Sequence, residues 1–306
     1  MDLLSTILRE AHFASAGYRW LEFGTPFRIG FDRPGLRGVH LITHGRCEYL
    51  LAGGDPVPLG TGDLVIFPRG DAHVLQSPGA GTGPVVAGFE LATRTPGIRV
   101  RGGGPVPETV VMCGAFVMGE PDHPALRGLP PVLRVPGTDG RPQPWLVPLA
   151  EALEAEALDG GPGSDLVMGR LSDALLIRAL RRHASAGHAG WLAGLADPYV
   201  SAALAAMHTE PARPWTLAAL AGVAGLSRAA FAARFTGRVG EPAMRYLLAL
   251  RMQRARNLLR DERVTVAAVA GQVGYGSEVA FAAAFKREVG VSPGAYRKAA
   301  LQNARL

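Results

Sequence analysis

Two histidines and a cysteine in the first 113 residues could hold a metal or meet an oxidant. His73 closes the run Gly62-Asp63-Leu64-Val65-Ile66-Phe67-Pro68-Arg69-Gly70-Asp71-Ala72-His73. That run predicts a strand, a rigid Pro/Gly turn, and a histidine re-aimed into the mouth of a β structure. His40 and His44 share strand parity, but an extended chain separates them by about 13 Å, too far to grip one ion together. His40 with His73 is the better pair, with Cys113 or water as a third partner. Imidazole and thiolate suit zinc, copper or another divalent metal, although two histidines are fewer than the three protein ligands of a catalytic zinc site. No cofactor is required by the sequence. Cys113 lies in Thr109-Val110-Val111-Met112-Cys113-Gly114-Ala115-Phe116, where Gly114 would ease access to the sulfur and make it the candidate redox residue. Arg46 beside Cys47 would lower the pKa of that thiol. The competing readings are a hydrogen-bonded histidine pair and a buried cysteine that merely fills space.

A second set of residues lies in the last third, where the charge is. Residues 197–306 carry 15 Lys/Arg against 7 Asp/Glu, whereas residues 1–196 carry 17 against 19. A basic segment joined to a near-neutral one points to a polyanion partner for the former alone, with a solvated helical surface as the plainer alternative.

The basic segment contains an internal repeat. Ala221-Gly222 and Gly225 recur as Ala270-Gly271 and Gly274; one residue is then inserted. Ser227, Phe231, Ala232-Ala233, Phe235 and Val239-Gly240 recur as Ser277, Phe281, Ala282-Ala283, Phe285 and Val289-Gly290. Each copy predicts a capped helix, a glycine turn and a second capped helix, over 217–236 and 266–288. Thr216 and Thr265 cap the first helices, Ser227 and Ser277 the second. Phe231 with Phe235, and Phe281 with Phe285, pin the second helices inward. Two helices joined through a short glycine turn form a helix-turn-helix, whose second helix can enter a major groove. Pro242–Leu259 predicts the strut between the copies.

The residues facing out from these helices are the candidate DNA contacts: Ser227, Arg228, Ala229, Ala232, Ala233 and Thr236 in the first copy, Ser277, Glu278, Val279, Ala283, Lys286 and Arg287 in the second. Arg234 joins them as a weaker polar candidate. Alanine and valine can touch a thymine methyl but read no donors or acceptors. Direct readout should therefore be modest, with shape and spacing carrying much of the discrimination. The serines, Lys286, Arg287, Arg254 and the helix N-termini suit phosphates better.

The elements that position these residues follow from the pattern. Residues 18–118 alternate strand-length apolar runs with turn residues, among them Tyr18–Phe23, Phe27–Phe31, Arg46–Leu51, Asp63–Phe67, Val85–Leu91 and Thr109–Val117, as an antiparallel β domain requires. A Gly/Pro-rich stretch follows over 126–144. Helical periodicity begins at Trp145, with helices expected over Trp145–Leu158 and from Ser164 to about His183. Asp197-Pro198 opens a further helix, Asp as N-cap and Pro in the first turn. The fold class is α+β: an N-terminal β-barrel unit (1–125), a helical connector offering an apolar face for packing or dimerisation (126–196), and a C-terminal all-α unit with two helix-turn-helix motifs (197–300).

Trp215-Thr216-Leu217, Leu226-Ser227-Arg228, Gly240-Glu241-Pro242, Val273-Gly274-Tyr275 and Gly290-Val291-Ser292-Pro293-Gly294-Ala295-Tyr296-Arg297 together resemble the DNA-binding domain of AraC/XylS regulators, over roughly residues 199–300. The run ending at His73 matches the second cupin motif, G-x5-P-x-G-x2-H, and resembles the cupin-like sensor of one branch of that family; the paired histidines of the first cupin motif are absent, Ile42 standing between His40 and His44. The resemblance implies a transcription regulator acting on double-stranded DNA, with a small-molecule effector, a homodimer and RNA polymerase as partners. The acidic, soon interrupted start at Met1-Asp2-Leu3-Leu4-Ser5 and the lack of a charge-free stretch of about 18 apolar residues predict no signal peptide, no membrane span and a cytoplasmic location. Not an enzyme is the expectation, since no nucleophile triad, phosphate loop or carboxylate pair is recognisable. Two alternatives remain: a DNA-associated protein with weak sequence preference, and a metal-dependent cupin enzyme fused to a DNA-binding domain.

Overall fold

The computed structural model describes residues 13–118, 129–185 and 191–303. Two compact units emerge. One holds the described residues 13–118 and 129–185, and the other holds 191–303.

The first unit is built on two five-stranded sheets. The first has the order β1 (Phe13–Gly24), β9 (Arg99–Met118), β3 (Arg37–His44), β6 (Leu64–Phe67), β10 (Leu133–Val135). The second has the order β5 (Val57–Gly60), β4 (Arg46–Leu51), β7 (His73–Gln76), β2 (Arg28–Phe31), β8 (Val86–Ala87). Both sheets feed one core: Leu21, Phe23, Ile42, Val65, Phe67, Val111 and Cys113 from the first meet Ile29, Cys47, Leu59 and Leu75 from the second. In the second sheet Ile29, Cys47, Leu59 and Leu75 are the inward positions, and a one-residue slip would turn them out of the core; the first sheet is buried on both faces, Leu64–Phe67 throughout.

One expected strand is corrected. Of Val85–Leu91, only Val86–Ala87 pairs in a sheet; the chain then turns into α1 (Gly88–Arg94). Glu90 and Arg94 form an i,i+4 ion pair there, and the Thr95 hydroxyl donates to the Leu91 carbonyl. Leu91 packs on the core, and the Arg33 guanidinium lies 3.7 Å over the Phe89 ring. A short apolar run reads equally as strand or helix, and tertiary packing decided this one.

The helices α2 (Val147–Asp159) and α3 (Ser164–Ser185) belong to the same unit as the sheets. Ser172 on α3 donates to the Met168 carbonyl and accepts from the buried Tyr18 hydroxyl of β1 at 2.9 Å. Burial pushes the Tyr18 phenol up to about 12. α3 is thus tied to the sheet through its polar atoms as well as its apolar face.

The second unit is all-helical: α4 (Trp191–Ala196), α5 (Pro198–Thr209), α6 (Leu217–Val223), α7 (Arg228–Val239), α8 (Ala243–Leu259), α9 (Val266–Gln272), α10 (Glu278–Val289) and α11 (Pro293–Asn303). Each second helix of the repeat is pinned by its two phenylalanines, all four fully buried. Phe235 meets the Tyr246 ring of α8, and Phe285 meets the Tyr296 ring of α11. At about 1.5 Å per residue, the 17-residue α8 spans on the order of 25 Å between the two copies. Among the described residues, no single helix is long and apolar enough to cross a membrane.

Candidate functional site

The outer surface of the repeat is made by its caps. Thr216, Ser227, Thr265 and Ser277 each accept, through the side-chain oxygen, the N–H three residues on: Ala219, Ala230, Ala268 and Ala280. Gly225 and Gly274 take left-handed φ of 66° and 83° at the turns, and Gly240 and Gly290 end the second helices in the same region at 91° and 88°. Helices α7 and α10 are therefore equivalent residue for residue, from serine cap to glycine stop.

That equivalence places the predicted contact residues. Arg228, Ala229, Ala233 and Thr236 are exposed on α7, and Glu278, Val279, Ala283, Lys286 and Arg287 on α10; Ala232 and Ala282 are half-buried. Ser227 and Ser277 are exposed, with their oxygens committed to the helix ends. Arg234 behaves differently. Its Nε lies 2.8 and 3.1 Å from the two carboxylate oxygens of Asp197, and the Arg238 guanidinium joins the same group at 3.3 Å. Asp197 also accepts the Tyr199 and Val200 N–H groups as cap of α5. Burial works to raise its carboxyl, but those N–H groups and Arg234 outweigh this and hold it below the usual range. Arg234 therefore fastens α7 to α5.

In the first unit His40, His73 and Cys113 come together. His40 on β3 stands directly across from Cys113 on β9, which sets the two side chains on one face. The turn after Phe67 carries His73 toward them, opposite Phe31 of β2. His40 Nδ1 lies 2.9 Å from Cys113 Sγ, and His40 Nε2 lies 2.8 Å from His73 Nε2. The Phe67 ring stacks on His73 at 3.5 Å, with Phe31 at 5.0 Å. Gly38, two residues before His40, leaves room for the pair: a Cβ there would stand 2.9 Å from His73 Cε1 and 3.0 Å from His40 Nε2. His44 is exposed at the end of β3 and takes no part.

One backbone carbonyl sets the direction of every hydrogen bond in this chain. The Asp71 oxygen accepts only, so His73 Nδ1, 2.9 Å away, must donate. Neutral His73 then accepts at Nε2, His40 donates from Nε2, and His40 Nδ1 accepts the Cys113 S–H. Burial holds both histidines neutral, pulling His40 well below the ordinary imidazole range and His73 down to about 4. Burial also pushes the Cys113 thiol well up. Cys47 is corrected in the same sense: burial, followed by Glu48 and Asp63, drives its thiol up to about 12, and Arg46 does not lower it.

These residues do not fit a resident metal. Cys113 approaches the far nitrogen of His40, so it cannot converge with His73 on one ion, and the two Nε2 atoms face each other at hydrogen-bond distance. Among the described residues, no group of three or more His, Cys, Asp or Glu side chains is placed to hold one.

Sequence reasoning missed the supporting parts: Gly38, Phe31, the Asp71 carbonyl and the Asp197 anchor. Gly38-x-His40 was a same-face pair, and Asp63-to-His73 spacing carried a partial signal. Asp63, buried at the head of β6, accepts from the Gly60 and Gly137 N–H groups and from Arg134, and so fixes the strand that leads to the turn.

A β-sheet unit with a cupin-type turn and a basic unit with two matched helix-turn-helix motifs define a DNA-binding transcription regulator with a cupin-like N-terminal domain. A cupin family model matches residues 2–185, and a helix-turn-helix domain model matches residues 220–299. A putative AraC-like transcription regulator of Streptomyces lividans is 35% identical over 307 residues, 97% of each chain. The HTH-type transcriptional regulator AlkR of Acinetobacter baylyi is 28% identical over 306 residues, covering 97% of this chain and 99% of its own. Among solved structures, the DNA-binding domain of AdpA, a global transcriptional factor in complex with a target DNA, is 33% identical with a TM-score of 0.32, covering 34% of this chain and 92% of its own. The chain belongs to the AraC-like transcription regulators, with a cupin N-terminal domain.

Proposed function

We propose that this regulator binds specific double-stranded DNA sites with both α7 and α10, and that its cupin-like unit tunes this binding in response to a signal acting on the Cys113–His40–His73 chain. The observation that carries the first part is the residue-for-residue equivalence of two capped helices whose outward faces are small or polar, in a segment carrying 15 basic against 7 acidic residues. Arg228, Thr236, Glu278 and Val279 read bases; Lys286 and Arg287 fasten phosphates beside the caps. A small molecule or an oxidant is the signal class, because breaking a buried hydrogen-bond chain leaves its members unsatisfied and so shifts the packing around them. The protein works in the cytoplasm, without catalysis of its own, as a homodimer that meets RNA polymerase.

The experiment is selection of genomic fragments by the purified, reduced full chain at near-physiological salt, repeated after peroxide. A few enriched sites with two spaced elements, altered by that treatment, support the proposal. Uniform recovery under both conditions, with a steep salt dependence, supports instead a broadly binding DNA-associated protein.

A further inference from the structure

The two recognition helices occupy the same register and carry opposite chemistry at the same place. Arg228 and Glu278 are each the first residue after the capping serine. Both are exposed, and neither makes a hydrogen bond or ion pair with another described side chain. The next position holds Ala229 in α7 and Val279 in α10. Val279 is 80% exposed, an apolar side chain left in water on the most basic part of the chain. The N-terminal residues of a recognition helix are the ones that meet base edges.

We infer that the two helix-turn-helix copies read different bases: Arg228 a guanine, Glu278 a cytosine, and Val279 a thymine methyl beside that cytosine. The inference rests on the proposed use of both helices on DNA. Arg228 can donate two N–H groups to guanine O6 and N7. Glu278 carries only acceptors, so a guanine edge repels it, whereas the cytosine N4 amino group donates to it. Val279 extends its methyl groups further than Ala229 can, which suits the C5 methyl of thymine. With Ala229, Ala232, Ala233 and Ala283 over much of both faces, these three side chains, together with Thr236, hold much of the direct discrimination. The binding site of a single chain is therefore polar: its two elements are not copies of each other, and one chain has one orientation on the duplex.

The test is selection from randomised duplexes with the full chain, as wild type and as Arg228→Ala, Glu278→Gln and Val279→Ala. All three positions are exposed, and melting curves confirm that the variants fold. Wild type should yield a two-part motif with guanine in one element and cytosine in the other. Glu278→Gln should lose cytosine by about tenfold or more and gain adenine at that same position, since an amide pairs with adenine N6 and N7. Val279→Ala should weaken only the neighbouring thymine, and Arg228→Ala only the guanine. If Glu278→Gln leaves the motif unchanged and tightens binding to every sequence alike, Glu278 faces a phosphate and the inference is overturned while the regulator reading stands. If wild type selects no motif at all, sequence-specific use of the two helices fails, and this inference falls with it.

Discussion

His40 and His73 face each other Nε2 to Nε2 at 2.8 Å inside the cupin-like unit, from strands belonging to different sheets. That contact needs an unprotonated Nε2 on His73, because its Nδ1–H is already given to the Asp71 carbonyl. In the unfolded chain a histidine takes up its proton near pH 6.5, whereas folded His73 resists until about 4. Between these values the unfolded state binds more protons, so the contribution of His73 to stability is lost as pH drops from about 6.5 to about 4. His73 alone contributes about 3 kcal/mol of that loss, and His40 adds in the same direction. Urea melts across pH 7.5 to 4 should show the decline, and His73→Gln should flatten it. Glu22, held down chiefly by Arg99 and Arg101, gives way only at lower pH. An equal slope in wild type and variant would refute the assignment.

The direction of the chain makes Cys113 a donor, which separates two small substitutions. Cys113→Ser keeps an O–H to offer His40 Nδ1 and should cost under about 1 kcal/mol. Cys113→Ala leaves that nitrogen buried and unsatisfied, costing about 1–3 kcal/mol. Thermal melts of both variants decide it; the reverse order would mean that His40 holds the other tautomer. Long-range proton–nitrogen NMR at pH 7 gives the tautomers directly, with Nε2–H expected on His40 and Nδ1–H on His73. Cys47 is buried with its thiol pushed up to about 12, so a thiol reagent should not label it at an appreciable rate until the unit unfolds.

Gly225 and Gly274 are equivalent in the repeat but not in their surroundings. A Cβ on Gly225 meets open space, so Gly225→Ala costs only the left-handed backbone, about 1 kcal/mol. A Cβ on Gly274 would overlap the Ala212 carbonyl in the loop before α6. Gly274→Ala should therefore cost at least about 2 kcal/mol more, as rigid backbone must shift. Chemical denaturation of the two variants checks this, and equal costs would show that the loop yields freely.

Much of this was legible in the residues. The repeat announced both helix-turn-helix motifs, and all four caps stand where Thr216, Ser227, Thr265 and Ser277 predicted them. Strand parity and the Pro/Gly turn singled out His40 and His73 together. What stayed hidden depends on contacts between distant segments. Cys47 follows an arginine in sequence, yet its thiol answers to the core around it. Val85–Leu91 has an apolar run too short to carry a period, and packing settled it as a helix. The sequence places Arg234 on the second helix without revealing the acid 37 residues earlier that holds it.

That acid gives the last prediction. Asp197 caps α5 through the Tyr199 and Val200 N–H groups, and the same carboxylate receives Arg234 and Arg238 from α7. Asp197→Asn keeps a capping oxygen but loses the charge. Because both arginines remain substantially exposed and can return to water, the cost should be about 1 kcal/mol. Asp197→Ala loses the cap as well, for about 2–3 kcal/mol in total. Arg234→Ala should lower stability comparably to Asp197→Asn and shift DNA affinity by a common factor across sequences, leaving the selected motif intact. Two measurements separate this from a reading role: a melting curve, and the motif recovered from randomised duplexes. If Arg234→Ala erases one base preference while the melting curve stays put, the salt bridge breaks on DNA and the arginine reads a base after all. If the melting curve falls and the motif survives, the first recognition helix is positioned by Asp197 and reads with Arg228 and its small neighbours alone.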